Sequence, residues 1–178
     1  MNLKGKNAIV TGGGRGLGKA VAIALAKEGV NIGLTGRNEE HLKNTAEELK
    51  TLGVMAAYYV FSIDNEKAVQ SGIAKLAEEL GGIDILINNA GIGDFGASAE
   101  MPSETWEQVI KTNLFGVYYA AKAVHPFLKE RGMGDIVNVA STAGLKGGPN
   151  MSAYAASKAA VVSLSQSMMA EWRKENIR

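Results

Sequence analysis

The sequence predicts a doubly wound α/β protein, a parallel sheet between two helical layers in a three-layer αβα sandwich, and three observations predict it. Short β-branched runs alternate with longer segments of helical period, the pattern of successive βαβ units. The strand candidates are apolar at successive rather than alternate positions, so both faces of the sheet need helices over them. A glycine cluster stands between the first strand and the first helix.

In chain order, Asn7 to Thr11 is the first strand. Gly16 to Glu28 places Leu17, Ala20, Val21, Ala24 and Leu25 on one helical face, and Gly29 supplies the stop. Val30 to Thr35 is the second strand, and Glu39 to Leu52 is a charged surface helix closed by Gly53. Val54 to Phe61 is an apolar third strand rich in residues that favour sheets, followed by a helix over Glu66 to Leu80. Ile83 to Ile87 and Asp135 to Val139 are the fourth and fifth strands, separated by a long helix from about Ser103 to Arg131, and a last helix starts near Ser152. With no repeat, low-complexity tract or linker, one domain is the default. The right-handed crossover rule gathers the strand C-termini on one edge, where ligands of such sheets bind.

Composition narrows the function classes. The chain has 178 residues, 46% hydrophobic and 21% charged, the balance of a soluble globular protein. Nineteen basic and 18 acidic side chains leave a net charge of +1 without a basic block, which argues against a nucleic-acid partner. The absence of cysteine removes disulfides and thiolate catalysis and fits a reducing compartment. The start, Met1 to Lys6, leads into an apolar run that Thr11 and Gly12 end too early for a signal-peptide core, and no apolar stretch is long enough to span a bilayer. A cytoplasmic protein without a membrane partner is the simplest reading. His41 and His125 have no partners at metal-ligand spacing, so no metal is expected and neither receives a role.

The first motif is Thr11-Gly12-Gly13-Gly14-Arg15-Gly16-Leu17-Gly18, between a strand and the helix that follows it. Glycines there let the backbone turn sharply and approach a pyrophosphate seated on the unsatisfied N–H groups of the helix N-terminus. Such a turn can also merely connect two elements. Its place at the first βα turn favours the phosphate, although Leu17 stands where a strict GxGxxG would have its third glycine. The second strand ends in Thr35-Gly36-Arg37, about twenty residues on, where a dinucleotide fold reads the adenosine ribose. An arginine fork there matches a 2′-phosphate, so NADP(H) is expected ahead of NAD(H), while Arg15 in the loop is either a second cation or a solvated side chain.

Tyr154 and Lys158 stand four apart near the start of the last helix, which puts the phenol and the ammonium on one face. That spacing is also common helix decoration. Ser141 ends the fifth strand on the edge that holds the glycine loop, where its hydroxyl can hold a substrate carbonyl oxygen for Tyr154 to protonate. Asn113 lies within the apolar stripe Trp106, Val109, Ile110, Val117, Ala120 and Val124 of the long helix. It is either a satisfied core amide holding neighbouring backbone or a water anchor in a proton path, and the residues alone leave both open.

These motifs resemble the short-chain dehydrogenases/reductases over the whole chain: TGxxxGxG at Thr11 to Gly18, Asn88-Asn89-Ala90-Gly91, Asn113, Ser141 and Tyr154-x-x-x-Lys158, in the family's order. The resemblance implies a Rossmann-like fold with Tyr154 as catalytic acid/base and Ser141 orienting the substrate. It makes Lys158 a ligand of the nicotinamide ribose that tunes the tyrosine, and Asn113 the holder of a water linking the lysine to solvent. Asn88 would contact the cofactor. Ser62 and Ile63 replace the Asp-Val pair that usually contacts adenine, with Asp64 one place further on.

Among subfamilies the chain is most similar to 3-oxoacyl-acyl-carrier-protein reductases, which implies a carbonyl substrate carried as an acyl-carrier-protein or CoA thioester. Sugar, steroid and alcohol dehydrogenases share the same residues, and a dinucleotide-binding scaffold would need only the glycine loop. The family normally continues past this point into a sixth strand, a substrate loop and a seventh strand, so the natural chain is expected to extend beyond Arg178. The last helix is apolar nearly all round, with Ala159, Val161, Val162, Leu164, Met168, Met169 and Trp172. With the long helix it predicts a symmetric interface and a homodimer or homotetramer.

Overall fold

The structure is a computed structural model describing residues 3–178. Residues 1 and 2, part of the start read above for a leader, lie outside the described residues. Five parallel strands form one sheet in the order β3-β2-β1-β4-β5. They are β1 (Asn7–Thr11), β2 (Asn31–Gly36), β3 (Ala56–Val60), β4 (Ile85–Asn88) and β5 (Asp135–Asn138). Between them run α1 (Gly16–Lys27), α2 (Glu39–Lys50) and α3 (Glu66–Leu80), then α4 (Ser103–Ile110), a π-turn over Lys111–Phe115 and α5 (Gly116–Arg131). A 3-10 turn over Thr142–Gly144 and the helix α6 (Ser152–Trp172) follow β5.

Every residue of β1 is buried, as the unbroken apolar run requires. Ala8 and Val10 point into a core closed by Ala22 and Ala26 of α1 and by Leu42 and Leu49 of α2. Ile9 points the other way, among Ile73 and Leu76 of α3 and Val124 and Leu128 of α5. The chain reverses direction in the sheet at β1, which is bonded to β2 on one side and β4 on the other, so the loop after β1 opens at the switch point.

Three expectations need correction. β3 is shorter than expected, because it is the outer strand and Met55 and Val60 are exposed at its ends. β4 begins at Ile85 rather than Ile83, since the Asp84 carboxylate accepts from Asn7 N at 2.9 Å and belongs to the turn that ties β4 to β1. The long helix is interrupted at Lys111–Phe115 by a π-turn that admits an extra residue and shifts the phase of the buried stripe, leaving Trp106 exposed. Gly116 follows that turn because α5 runs against Ile63, whose side-chain carbons would lie 2.8 Å from a Cβ there. At the opposite edge Ile177 makes a parallel bridge to Gly134, and Ile136 N donates to Arg178 O at 2.8 Å.

Candidate active site

The glycine loop is built by contacts from three other segments. Gly12 and Gly16 have left-handed φ values of 66° and 56°, which glycine adopts without strain. The N–H groups of Gly12 and Gly13 donate to Thr35 O at 2.8 and 3.2 Å, tying the loop to β2. Asn89 Nδ2 donates to the carbonyls of Thr11 (3.0 Å) and Gly12 (3.3 Å). Thr11 Oγ1 accepts from the backbone of Asn89 and Ala90, each at 3.0 Å. A Cβ on Gly18 would collide with Gly12 O, so α1 packs directly on the loop. Arg15 precedes α1 without a side-chain cap, and the first turn of the helix holds no acidic residue. The N-terminal N–H groups therefore have no side-chain acceptor, the condition of an anion site.

A cleft of about 520 Å³ opens from this loop along the C-terminal edge of the sheet. Gly12, Gly14, Arg15 and Gly16 form one wall, and Thr35, Gly36 and Arg37 from the end of β2 form another. Asn38 and His41 enter from α2, and Phe61, Ser62 and Ile63 from beyond β3. The far side is Asn89 to Ile92, after β4, together with Thr112 of the π-turn. Thr35 Oγ1, on this lining, is buried with no hydrogen-bond partner among the described residues. Just outside, hydrogen bonds from Ser62 and Gln108, with a smaller contribution from the Arg37 charge, hold the Asp64 carboxyl below the usual carboxylate range.

Of the residues expected at the cofactor, Leu17, Gly18, Asn88, Tyr154 and Lys158 do not line this cleft. Leu17 faces solvent at 59% exposure, and Gly18 acts through packing. Asn88 is turned into the protein, where its Nδ2 donates to Asn138 Oδ1 (2.9 Å) and Val117 O (3.3 Å). Its neighbour Asn89 occupies the cleft side instead. His41, Asn38 and Asn89 carried no assigned role in the sequence reading. Asn38 had a legible signal, a residue that caps α2 by accepting from His41 N at 2.8 Å.

Lys158 is 4% exposed, and its Nζ donates to Val139 O at 2.7 Å, just past the end of β5. Burial lowers its pKa from the ordinary lysine value. The ammonium lies 5.8 Å from the centroid of the Tyr154 ring, one turn earlier on α6. Ser141 Oγ accepts from Ala143 N at 3.1 Å and caps the turn Thr142–Gly144. That turn rests on α6, since a Cβ on Gly144 would stand 2.7 Å from the backbone of Lys158.

Asn113 is fully buried in the π-turn. Its Oδ1 accepts from Ile92 N at 2.8 Å, while Nδ2 donates to Ile92 O (2.9 Å) and Ser157 Oγ (3.1 Å). Both amide hydrogens are thus spent on protein, as in a satisfied core amide. The cleft meets this cluster at Gly91, where a Cβ would lie 3.1 Å from Asn113 Oδ1 and 3.7 Å from Lys158 Nζ.

A parallel sheet whose order reverses at β1, with a glycine loop and a helix N-terminus at the reversal, defines the Rossmann-like class of doubly wound folds. Within that class the chain belongs to the short-chain dehydrogenase family, a family of oxidoreductases, whose model matches residues 6–178. It is 38% identical over 178 residues to the 3-oxoacyl-acyl-carrier-protein reductase of Chlamydia muridarum, covering 99% of this chain and 71% of that protein. It is 34% identical over 177 residues to the gluconate 5-dehydrogenase of Gluconobacter oxydans, covering 99% of this chain and 69% of that one. The crystal structure of an NAD+-bound xylitol dehydrogenase superposes with a TM-score of 0.97 at 37% identity, over 100% of this chain and 69% of that one. Among the described residues, no helix is long and apolar enough to cross a membrane, and no three His, Cys, Asp or Glu side chains converge as a metal site.

Proposed function

We propose that this chain interconverts a carbonyl and a secondary alcohol with NADP(H), using Tyr154 as the acid/base. One observation carries the reading: the buried ammonium of Lys158 is anchored beside the Tyr154 ring and close to Gly91, which lines the cleft from the glycine loop. A dinucleotide-binding scaffold needs the loop but has no use for a desolvated lysine at that place.

The cleft residues fit a dinucleotide. The uncapped N-terminus of α1 suits a pyrophosphate, the orphaned hydroxyl of Thr35 suits an adenosine ribose, and Arg37 with Arg15 suits a 2′-phosphate. No carboxylate lines the end of β2 to prefer a free 2′-hydroxyl. When bound, the nicotinamide supplies a hydride to the carbonyl carbon or takes one from the alcohol. Ser141 Oγ donates a hydrogen bond to the substrate oxygen and fixes its position. Tyr154 gives its hydroxyl proton to that oxygen in reduction and accepts it in oxidation. Lys158 holds the nicotinamide ribose and, by its positive charge, favours the ionised phenol. Asn113, whose amide is spent on Ile92 and Ser157, keeps the segment after β4 and the start of α6 in place.

A 3-oxoacyl thioester, carried on acyl carrier protein or CoA, is the substrate favoured by the likeness to the reductase. The reading includes a cytoplasmic location, in keeping with the cysteine-free composition, and a homodimer or homotetramer. Turnover of a carbonyl panel by the full-length protein with NADPH, with a 3-oxoacyl thioester in the panel, tests it. Oxidation of NADPH by none of the panel, with NADPH bound, would leave the scaffold as the better account.

A further inference from the structure

We infer that Phe95 forms an apolar subsite beside Tyr154 that receives an alkyl or aryl substituent on the substrate carbonyl, in preference to a polyhydroxylated one. The inference rests on the reading of Tyr154 as the acid/base. Phe95 lies on the loop between β4 and α4, and its ring meets that of Tyr154 with centroids 5.9 Å apart and planes tilted by 57°. An aromatic ring held against the proton donor stands within reach of the groups flanking a carbonyl that the donor serves.

The ring is placed by its surroundings rather than left to wander. A Cβ on Gly93 would stand 2.9 Å from Phe95 Cε2 and Cζ, so the ring occupies the space that a side chain at residue 93 would need. Gly96 N donates to Asn150 O at 2.9 Å, joining this loop to the segment that enters α6 four residues before Tyr154. Asn150 has a left-handed φ of 63°, a conformation that asparagine tolerates better than most residues. Two loops are therefore closed on each other at the tyrosine.

Despite these contacts Phe95 remains 61% exposed, so more than half of a large apolar side chain that touches the Tyr154 ring is accessible to a ligand. An aryl or alkyl group laid on such surface removes apolar area from water on both partners, whereas a polyol has to give up hydrated hydroxyls to do so. The subsite thus separates a fatty or aromatic ketone from the open-chain sugars that the same catalytic residues would otherwise accept.

The test uses the full-length protein with NADPH bound and two ketones, propiophenone as the aryl alkyl probe and dihydroxyacetone as the polyol probe, each compared with itself between wild type and variants. Equilibrium binding is followed by ligand NMR, and turnover by NADPH oxidation. Wild type should bind propiophenone more tightly than dihydroxyacetone. Phe95→Ser should lower that preference by about tenfold or more, the scale of discrimination an apolar contact provides, and Phe95→Leu should keep most of it. Equal affinity for the two ketones, or a preference unchanged in Phe95→Ser, would overturn the subsite. Phe95-dependent binding of propiophenone without any turnover would uphold the subsite and overturn the reductase reading beneath it.

Discussion

Asn113 Nδ2 donates to Ser157 Oγ at 3.1 Å, and the same hydroxyl donates onward to the carbonyl of Tyr154 at 2.7 Å. Both side chains are fully buried, so the π-turn is joined to the first turn of α6 by a bond that water does not replace. Ser157→Ala leaves one amide hydrogen of Asn113 unpaired inside the protein, at a cost of about 1–3 kcal/mol. Because the two residues share that bond, the losses in Ser157→Ala and Asn113→Ala should not add in the double variant. Urea unfolding of the three variants measures the coupling, and strict additivity would mean that the bond contributes nothing.

Tyr154→Phe removes one oxygen and leaves the ring against Phe95. NADPH should still bind, since the glycine loop and Arg37 are untouched. The substrate oxygen loses its proton donor, and general acid catalysis contributes about 10² to 10⁴ in rate, so turnover should fall by that range. Fluorescence titration of NADPH beside steady-state turnover separates the two effects. A Tyr154→Phe enzyme as fast as wild type would refute the mechanism.

Lys158 gives a pH dependence of known sign. Burial lowers its pKa from the ordinary lysine value of 10.5, so the unfolded chain binds the proton more tightly than the folded one. Stability should therefore rise with pH between the lowered value and 10.5, and below that window the penalty of the buried ammonium is constant. Lys158→Met keeps the apolar stem and has nothing to titrate. Unfolding free energies at about pH 7 and about pH 10 should show wild type gaining on Lys158→Met as pH rises. A gap that stays fixed would place the folded-state pKa at its unfolded value.

Much of this site is legible because its signals are local. The glycine loop, Ser141, which lies past the end of β5 rather than on it, and the one-turn spacing of Tyr154 and Lys158 need only the element boundaries, and these are nearly as expected. What escaped depends on partners far along the chain. Asn88 and Asn89 are adjacent and chemically identical, and strand alternation sends the first to Asn138 and the second to Thr11. Helical periodicity alone does not show the π-turn at Lys111–Phe115, because a single inserted residue leaves the pattern of each half intact. His41 gains its place on the cleft only when α2 folds back beside the glycine loop, where His41 Cβ would lie 3.0 Å from a Cβ on Gly14.

Assembly can be tested on the exposed aromatic face. Phe115 and Tyr118, on the π-turn and α5, are exposed, as are Trp106 on α4 and Met169 on α6. Phe115 and Tyr118 both pack on the Tyr119 ring, and exposed aromatic surface of this kind is characteristic of a subunit interface. The full-length protein should sediment as a dimer or tetramer at micromolar concentration. Phe115→Glu with Tyr118→Glu should shift it to monomers by placing carboxylates on both sides of a two-fold contact. A wild-type monomer under those conditions would remove the interface.

On the proposed reading, cofactor choice turns on Arg37, which lines the cleft at the end of β2, across from the glycine loop. A charge-assisted bond from its guanidinium to a 2′-phosphate is available with NADPH and has no counterpart with NADH. Arg37→Asp removes that bond, adds a repulsion to the phosphate and offers an acceptor to a free 2′-hydroxyl. The combined cost to NADPH relative to NADH should be about 3 kcal/mol, roughly a hundredfold in the ratio of affinities. Asp64 supplies an independent reading of the same substitution. Its carboxyl is held low first by Ser62 and Gln108 and then by the Arg37 charge, so an aspartate at residue 37 should raise its pKa without breaking the hydrogen bonds. NMR titration of Asp64, beside NADPH and NADH affinities for both proteins, tests the placement of the charge and its use together. A wild-type enzyme that binds NADH more tightly than NADPH would show that Arg37 does not meet a phosphate, even if the Asp64 shift appears as expected.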